Sequence, residues 1–401
     1  TLPAPGAYTV EADGYHQALH VFFDPIRDFP AVAQGKAHIL SFGPGVHEIG
    51  CMDLESDTAV LIDRDAYLYG SFRAVCAENI DIFGYGVIDG SREVRTDESR
   101  LLLNDYTAPL PADRENILRR LKQRHVLDGI LRFYRCRHIR VEGPTLRDAA
   151  TFAVIPAGCE DVTLENLKTI GMWRYNADGI DLFNCRDVRI RNCFLRNFDD
   201  CVVIKGIVGW DTTDNADILV EGCVVWCDWG RNLELGAETN APAFWNILFR
   251  NCDCIHGSTA FLDIQHHNRA DIGQVTFEDI RVEYTKHQLP DVFQNDMDAP
   301  YPTDTPVRHP LLFCLPIYRS GLFAEDGLNG RIHDITFRNI RILTDAPEVP
   351  VPESAFLGLD AEHTVERICI AGVTCNGKRL ATREELRLHI NEFVRDVTIL
   401  P

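Results

Sequence analysis

The chain has 401 residues, 45% of them apolar and 25% charged, the balance of an ordinary soluble globular protein with a sizeable core. A net charge of −20 disfavours nucleic acid and anionic membrane surfaces as partners. No run of 18 apolar residues is present, which excludes a hydrophobic spanning helix.

The opening, TLPAPGAYTV, shows neither a signal-peptide pattern nor an initiator methionine. A mature secreted chain, a trimmed one and a cytosolic one all fit it. Residues 1–36 read as a lead-in or cap. From residue 37 a motif recurs in which apolar and polar positions alternate and then meet a polar or glycine turn. It appears as AENIDIFGYG at Ala77, CRHIRVEG at Cys136, CEDVTLEN at Cys159, CRDVRIRN at Cys185 and NADILVEG at Asn215. FWNILFRN at Phe244, IGQVTFED at Ile272, IHDITFRN at Ile332 and VERICIAG at Val365 continue the series.

The first apolar positions are Ile80, Ile139, Val162, Val188, Ile218, Ile247, Val275, Ile335 and Ile368, at spacings of 59, 23, 26, 30, 29, 28, 60 and 33 residues. Strands at a period of 20–35 residues, without amphipathic helices between them, predict a stacked solenoid. The Leu/Asn pattern of leucine-rich repeats is absent. The fold expected is all-β, a right-handed parallel β-helix over 37–401, with equal positions of successive coils stacked in columns about 4.8 Å apart. Each double spacing has room for a further coil plus an insertion. Residues 92–128 and 286–329 break the pattern, the first with a helical piece over Ala112–Lys122, the second as a Pro- and aromatic-rich irregular excursion. Loops of that size commonly form walls or lids, which favours short substrates or exo-action. TREELRLHI places Thr382 and Glu385 in capping-box spacing, predicting a short C-terminal capping helix.

Fourteen cysteines recur at matching places in the repeat, as buried thiols behaving as small apolar residues would. They favour a reducing, cytoplasmic setting over a secreted or periplasmic one. Cys223–Cys227 and Cys252–Cys254 lie on repeat strands, and His266 and His267 are adjacent on one, so neither set has metal-ligand spacing. No metal and no cofactor is expected.

The stretch YNADGIDLFNCRDVRIRNCFLRNFDDCVVIKG carries Asp178, Asp181, Asp199 and Asp200 beside apolar residues. Asp178 and Asp199 are 21 residues apart, close to one coil, which stacks them on the same face with Asp200 beside them. Packed carboxylates raise at least one pKa, separating a proton donor from ionised partners as glycoside hydrolysis requires. An isolated acid at a coil turn would only bond backbone amides.

This core resembles the polygalacturonase-type β-helix glycoside hydrolases, whose pattern is Asn-Thr-Asp-Gly-x-Asp followed about one coil later by Gly-Asp-Asp-Cys-x-x-Ile-Lys. FGPGVHEIG at Phe42, YGVIDGS at Tyr85 and AVIPAGCEDVTLENL at Ala153 look like earlier coils, so the resemblance spans residues 35–285. It implies that Asp199 protonates the leaving oxygen, that Asp178 and Asp200 hold and deprotonate the attacking water, and that Asn176 helps position them. Inversion at the anomeric carbon is implied too. Lys205 is either a buried counter-charge or a substrate contact. Two departures stand out. Arg231 occupies the place of the family's histidine in WGRNLELGAE, and FLDIQHHN sets Asp263 and Gln265 where the family carries Arg and Lys for a uronate carboxylate. An acid there repels a uronate, although Arg174 and Arg231 remain able to hold one. The substrate expected is an α-linked oligo- or polysaccharide other than plain galacturonan. Dextranase- and isopullulanase-type α-glucan hydrolases are the alternative.

Trp173, Tyr175, Trp210, Trp226 and Trp229 flank the carboxylates. Trp226 reads as core, whereas Trp173, Tyr175 and Trp229 read as sugar platforms or as packing. Glu234, Glu238, Asp263 and His266 fall in the next coils as hydroxyl contacts or solvated turns. A non-catalytic carbohydrate-binding β-helix has no reason to pack repelling acids, and a lyase requires a calcium site and a basic residue for the C5 proton.

Overall fold

In the computed structural model the described residues are 5–12, 18–25, 27–93, 115, 129–207, 213–285, 308–319 and 327–401. Alternating strands stack in parallel register into a β-helix. Its first sheet has twelve strands, running from His38–Phe42 through Arg186–Arg191 to Val394–Leu400. A representative coil continues from Arg186–Arg191 through Phe194–Asn197 to Val202–Gly206, which belong to a second and a third column of strands. Parallel crossovers of this kind are right-handed.

The register equals the one read from the repeat. Ile80, Ile139, Val162, Val188, Ile218, Ile247, Val275, Ile335 and Ile368 pair in that order along the first sheet. The polar punctuation has a stereochemical cause. Asn166, Asn192, Asn251, Asp279 and Asn339 all take φ near +55°, and Gly222 and Gly372 take +68° and +67° at the same corner. Asparagine, aspartate and glycine tolerate this left-handed turn at low cost, which is why the repeat ends on them.

Two expectations are corrected here. Ile80 pairs directly with Ile139, and Val275 directly with Ile335. Neither double spacing therefore places an extra coil between the paired strands. Within the span read as irregular, Leu311–Pro316 forms a strand of the third column, because the apolar Leu312, Phe313 and Leu315 give it a face to bury. The helix expected over Ala112–Lys122 falls, but for Glu115, outside the described residues.

The C-terminal helix, by contrast, lies within the described residues and does not form. The capping contacts form, with the Glu385 amide donating to Thr382 Oγ1 at 3.2 Å and the Ala381 amide to Glu385 Oε2 at 2.9 Å. The chain makes turns there and then enters the strand Leu388–Ile390, Arg387 having turned left-handed at φ +46°. Pairing of that strand with Ser354–Leu357 outcompetes helix propagation.

The interior is a set of ladders. Phe249, Phe277 and Phe337 stack at 4.8 and 5.3 Å between ring centroids, and each fully buried ring contributes roughly 1.5–3 kcal/mol. Cys136, Cys159, Cys185, Cys193, Cys223 and Cys252 are among nine buried free thiols in the same interior. The hairpin Gly6–Glu11 with Ala18–Phe23 lies along the side of the solenoid. Lys168 reaches Asp24 at 2.7 Å and His256 reaches Glu11 at 2.8 Å. Trp226 is fully buried beneath it, with the Arg196 guanidinium 3.9 Å from its ring centre and His20 meeting it edge-on.

Candidate active site

Successive side chains of a strand alternate faces. In Ile180–Phe183, Val202–Gly206, Arg231–Thr239 and Ala260–His266, the residues Ile180, Leu182, Val202, Ile204, Leu233, Leu235, Leu262 and Ile264 fill the core. Asp181, Val203, Glu234 and Asp263 therefore point outward, and their register makes them one column that continues through Cys314. Asp178 ends the turn that enters the first of these strands, and Asp199 and Asp200 stand in the turn before the second. All of these acids are nonetheless almost completely buried.

Gly230 explains how the two adjacent aspartates fit. A Cβ at that position would lie 2.3 Å from Asp199 Oδ1 and 2.4 Å from Asp200 Oδ1. Both carboxyls thus rest against the Gly230 backbone, and any other residue would collide with them. The next amide, of Arg231, donates to Asp200 Oδ1 at 2.9 Å. The Arg231 guanidinium then lies 4.0 Å from Asp200, 3.8 Å from Glu234 and 3.4 Å from Asp263. On the other side, Lys205 Nζ sits 3.5 Å from Asp178 Oδ2, 3.5 Å from Asp181 Oδ1 and 3.7 Å from Glu238. Seven carboxyls, from Asp178, Asp181, Asp199, Asp200, Glu234, Glu238 and Asp263, face two cations.

Burial is the main reason their protons are held tightly. It pushes Asp199 well above the carboxylate range, Asp178 and Asp200 add repulsion, and Arg231 opposes them. Burial likewise raises Asp178 strongly, with Asp181 pushing the same way and Lys205 against. Asp181 is raised to about 8 and Asp263 to about 6, in both cases by burial first, with Lys205 and Arg231 respectively pulling down. Glu234 is raised by burial and by Asp200. For Lys205, burial favours the neutral amine, but Glu238, Asp178 and Asp181 outweigh it and hold the ammonium. A set of acids able to give up protons at neutral pH, beside fixed cations, suits general acid–base work.

The structure also locates the other expected residues. Asn176, left-handed at φ +58°, is half-buried two residues before Asp178. Tyr175 and Trp229 meet edge-on at 5.5 Å, Trp229 stacks on Phe198 at 5.9 Å, and the Arg308 guanidinium lies 5.4 Å from the Trp229 ring. This aromatic group adjoins Gly230 and Arg231 in the chain. Trp173 carries the Arg174 guanidinium over its ring at 5.4 Å, and Arg174 itself is engaged with Asp148 at 3.1 Å and with the carbonyls of Ser91 and Glu93. Arg174 is thus a strut rather than a free anion receptor. Trp210 lies outside the described residues.

His266 faces the other way from its expected place. It is fully buried, its ring Nδ1 is paired with the Thr239 hydroxyl at 2.7 Å, and burial lowers its pKa to about 3. Its neighbour His267 takes the cleft side, stacking on Tyr318 at 4.5 Å and pairing with Gln265 Nε2 at 3.0 Å, kept neutral by burial first and by Arg231 second. Counting by twos from Asp263 reaches 265 and 267, so the alternation carried this signal. Sequence reading named Asp181 among the acids but gave it no role, and it passed over Gly230 as the seat of the pair and Cys314, the residue paired with Asp263 in the column.

Glycosyl hydrolases family 28 matches residues 79–290, more than half of the chain and the part that bears these acids. The chain belongs to that family. It is a glycoside hydrolase, and its substrate is a carbohydrate. Similar solved structures carry the same fold. The exopolygalacturonase of Thermotoga maritima is 17% identical over 90% of this chain and 84% of its own, with a TM-score of 0.59. The polygalacturonase of Erwinia carotovora is 13% identical, covering 88% of this chain and 89% of its own, at 0.54. Dex49A of Penicillium minioluteum is 12% identical, covering 95% of this chain and 67% of its own, at 0.57. No curated protein matches the family 28 chain in sequence.

Proposed function

We propose that this family 28 enzyme hydrolyses an α-linked oligo- or polysaccharide with inversion, using Asp199 as general acid and Asp178 with Asp200 to hold and deprotonate the water. The observation that carries this reading is the seating of Asp199 and Asp200 on Gly230, one coil beyond Asp178. Two coils contribute the acids, which a general acid and a base on opposite sides of a glycosidic bond require. Burial keeps Asp199 protonated, as a donor to the leaving oxygen must be. The Arg231 amide fixes Asp200 as an acceptor. Tyr175 and Trp229 supply apolar faces on which sugar rings stack.

The sugar at the cleavage point is neutral on this reading. Arg231 is the cation beside Asp263, which stands at the expected place of a uronate carboxylate, and Asp200, Glu234 and Asp263 already surround it. A substrate anion would have to displace one of them inside a buried site. This favours an α-glucan or another neutral α-glycan over the galacturonan of the exopolygalacturonase relative.

The test is to incubate the wild type and Asp199→Asn with uronide, α-glucan and α-galactoside oligosaccharides, following reducing ends and product anomer by NMR. Cleavage of a neutral glycan with an inverted product, lost in the variant, is expected. Cleavage of uronides alone overturns the neutral-sugar reading. Equal glycan binding by both proteins without cleavage overturns the assignment of catalysis to these aspartates.

A further inference from the structure

Lys205 is the only cation within ion-pair distance of Asp178 among the described residues, and it is not reserved for Asp178. Its ammonium is equally close to Asp181 and nearly as close to Glu238. Asp178 and Asp181 belong to the same entry into one strand, three residues apart, and both are buried with at most 1% of their surface exposed. Both Asp181 oxygens and Asp178 Oδ1 lack a hydrogen-bond acceptor or donor partner of ordinary geometry. One ammonium compensates one buried carboxylate well. A second full negative charge at this distance is strongly unfavourable in a dry site.

The groups acting on Asp178 are Asp181 from its own coil and Asp199, Asp200 and Lys205 from the next, while Glu238 and Arg231 from the coil beyond bear on Lys205 and Asp199 respectively. Only Lys205 among them favours a negative Asp178 at ion-pair distance, and Asp181 is the other acid held at 3.5 Å from the same ammonium.

We infer that Asp181 and Lys205 are positioning residues for Asp178: the two aspartates share a single proton, and Lys205 keeps the remaining carboxyl ionised. The inference rests on the hydrolase reading for its catalytic meaning, since the ionised member is then the base that takes the proton of the attacking water. That proton joins the carboxyl pair while the hydroxyl oxygen bonds the anomeric carbon, and the leaving oxygen receives the proton of Asp199. Charge and protons balance within the trio and its partner. The midpoint at which the pair gains its first, shared proton belongs to both residues.

The two positioning residues have opposite effects, which makes the inference testable. Lys205→Met removes the stabilising cation, so the pair takes its first, shared proton at higher pH. Asp181→Asn removes the sharing partner and its repulsion, so Asp178 alone stays ionised to lower pH. Each change is expected to move the midpoint by about one pH unit or more. The measurement is a carboxyl NMR titration of protein labelled with ¹³C at the aspartate side-chain carbons, the Asp178 signal being identified by its loss in Asp178→Asn. It is run without substrate, beside the pH dependence of kcat/KM on whichever glycan the wild type cleaves.

Movement upward in Lys205→Met, downward in Asp181→Asn, and restoration near the wild-type midpoint in Lys205→Arg support the inference. Should Lys205→Met fail to fold, the near-isosteric Asp181→Asn and the charge-conserving Lys205→Arg carry the test alone. Midpoints that stay put, or move the same way in both neutralising variants, overturn it and leave Lys205 with a purely structural role. Opposite movements in a protein that cleaves no glycan uphold the shared proton and overturn the hydrolase assignment of the trio instead.

Discussion

Two columns of charged side chains run along this solenoid, and they handle the same geometric problem differently. On the first sheet, Glu165, Arg191, Glu221, Arg250, Glu278 and Arg338 occupy equal positions of consecutive coils. Their signs alternate, and neighbours bond, Arg250 to Glu221 at 2.8 Å and Arg338 to Glu278 at 3.0 Å. On the third column, Asp181, Glu234 and Asp263 repeat one sign, broken only by Val203. The first column is part-exposed, so water screens what alternation does not cancel. The second is buried, and it holds extra protons instead. Stacking like charges in parallel register is destabilising, so a fold that alternates them on its surface and repeats them in its cleft has kept the repulsion where chemistry uses it.

The sharpest way to break this contrast is to neutralise a cleft acid. Asp199→Asn is expected to lower kcat by about 10²–10⁴-fold, measured on the cleaved glycan, while the circular-dichroism spectrum stays unchanged. Next in size is Gly230→Ala. The added carbon would press on both Asp199 and Asp200 and on the Asp200 amide, 2.8 Å away. Overpacking of this kind costs about 1–3 kcal/mol, read as a lower urea midpoint, and activity should fall with it because the aspartates must move. An unchanged midpoint together with full activity would show that the pair is not seated there.

The solenoid was legible because its corners impose a rule that sequence states openly. Each corner wants a left-handed residue, so Asn192, Gly222 and Asn251 announce themselves, and the isoleucines and valines before them fix the register. The trio was legible for the same reason: a spacing of one coil means adjacency. What escaped was set by neighbours rather than by period. Gly230 matters through the two carboxyls it admits, which no spacing reveals. Arg231 was visible as a departure, but its engagement by three acids depends on the burial of a column. The capping box at Thr382 formed its hydrogen bonds and still did not make a helix, since the strand at Leu388 had a partner waiting. His266 and His267 were separable by parity once Asp263 was known to face outward.

A third test uses pH. Asp181 titrates near 8 in the folded chain against 3.8 for a free aspartate, burial being the main cause. Between those values the folded chain retains a proton that the unfolded chain has released. Stability therefore falls as pH rises from about 4 to about 8. Asp178, Asp199 and Glu234 are raised and act in the same direction. Urea unfolding at about pH 5 and about pH 8 should show a drop in the wild type and a smaller one in Asp181→Asn. An identical drop would mean that Asp181 exchanges no proton on unfolding.

The smallest effect is expected on the alternating column. Glu221→Arg would place three cations in succession with Arg191 and Arg250, both of which now reach Glu221, at 3.7 and 2.8 Å. In the cleft such a row would be costly, but here the side chains are 29–41% exposed. Water and salt then screen the repulsion, and the loss should be about 1 kcal/mol or less, shrinking further at high ionic strength. A loss of several kcal/mol that salt does not relieve would mean that the surface ladder is held as dry as the cleft, and burial would no longer distinguish the two columns.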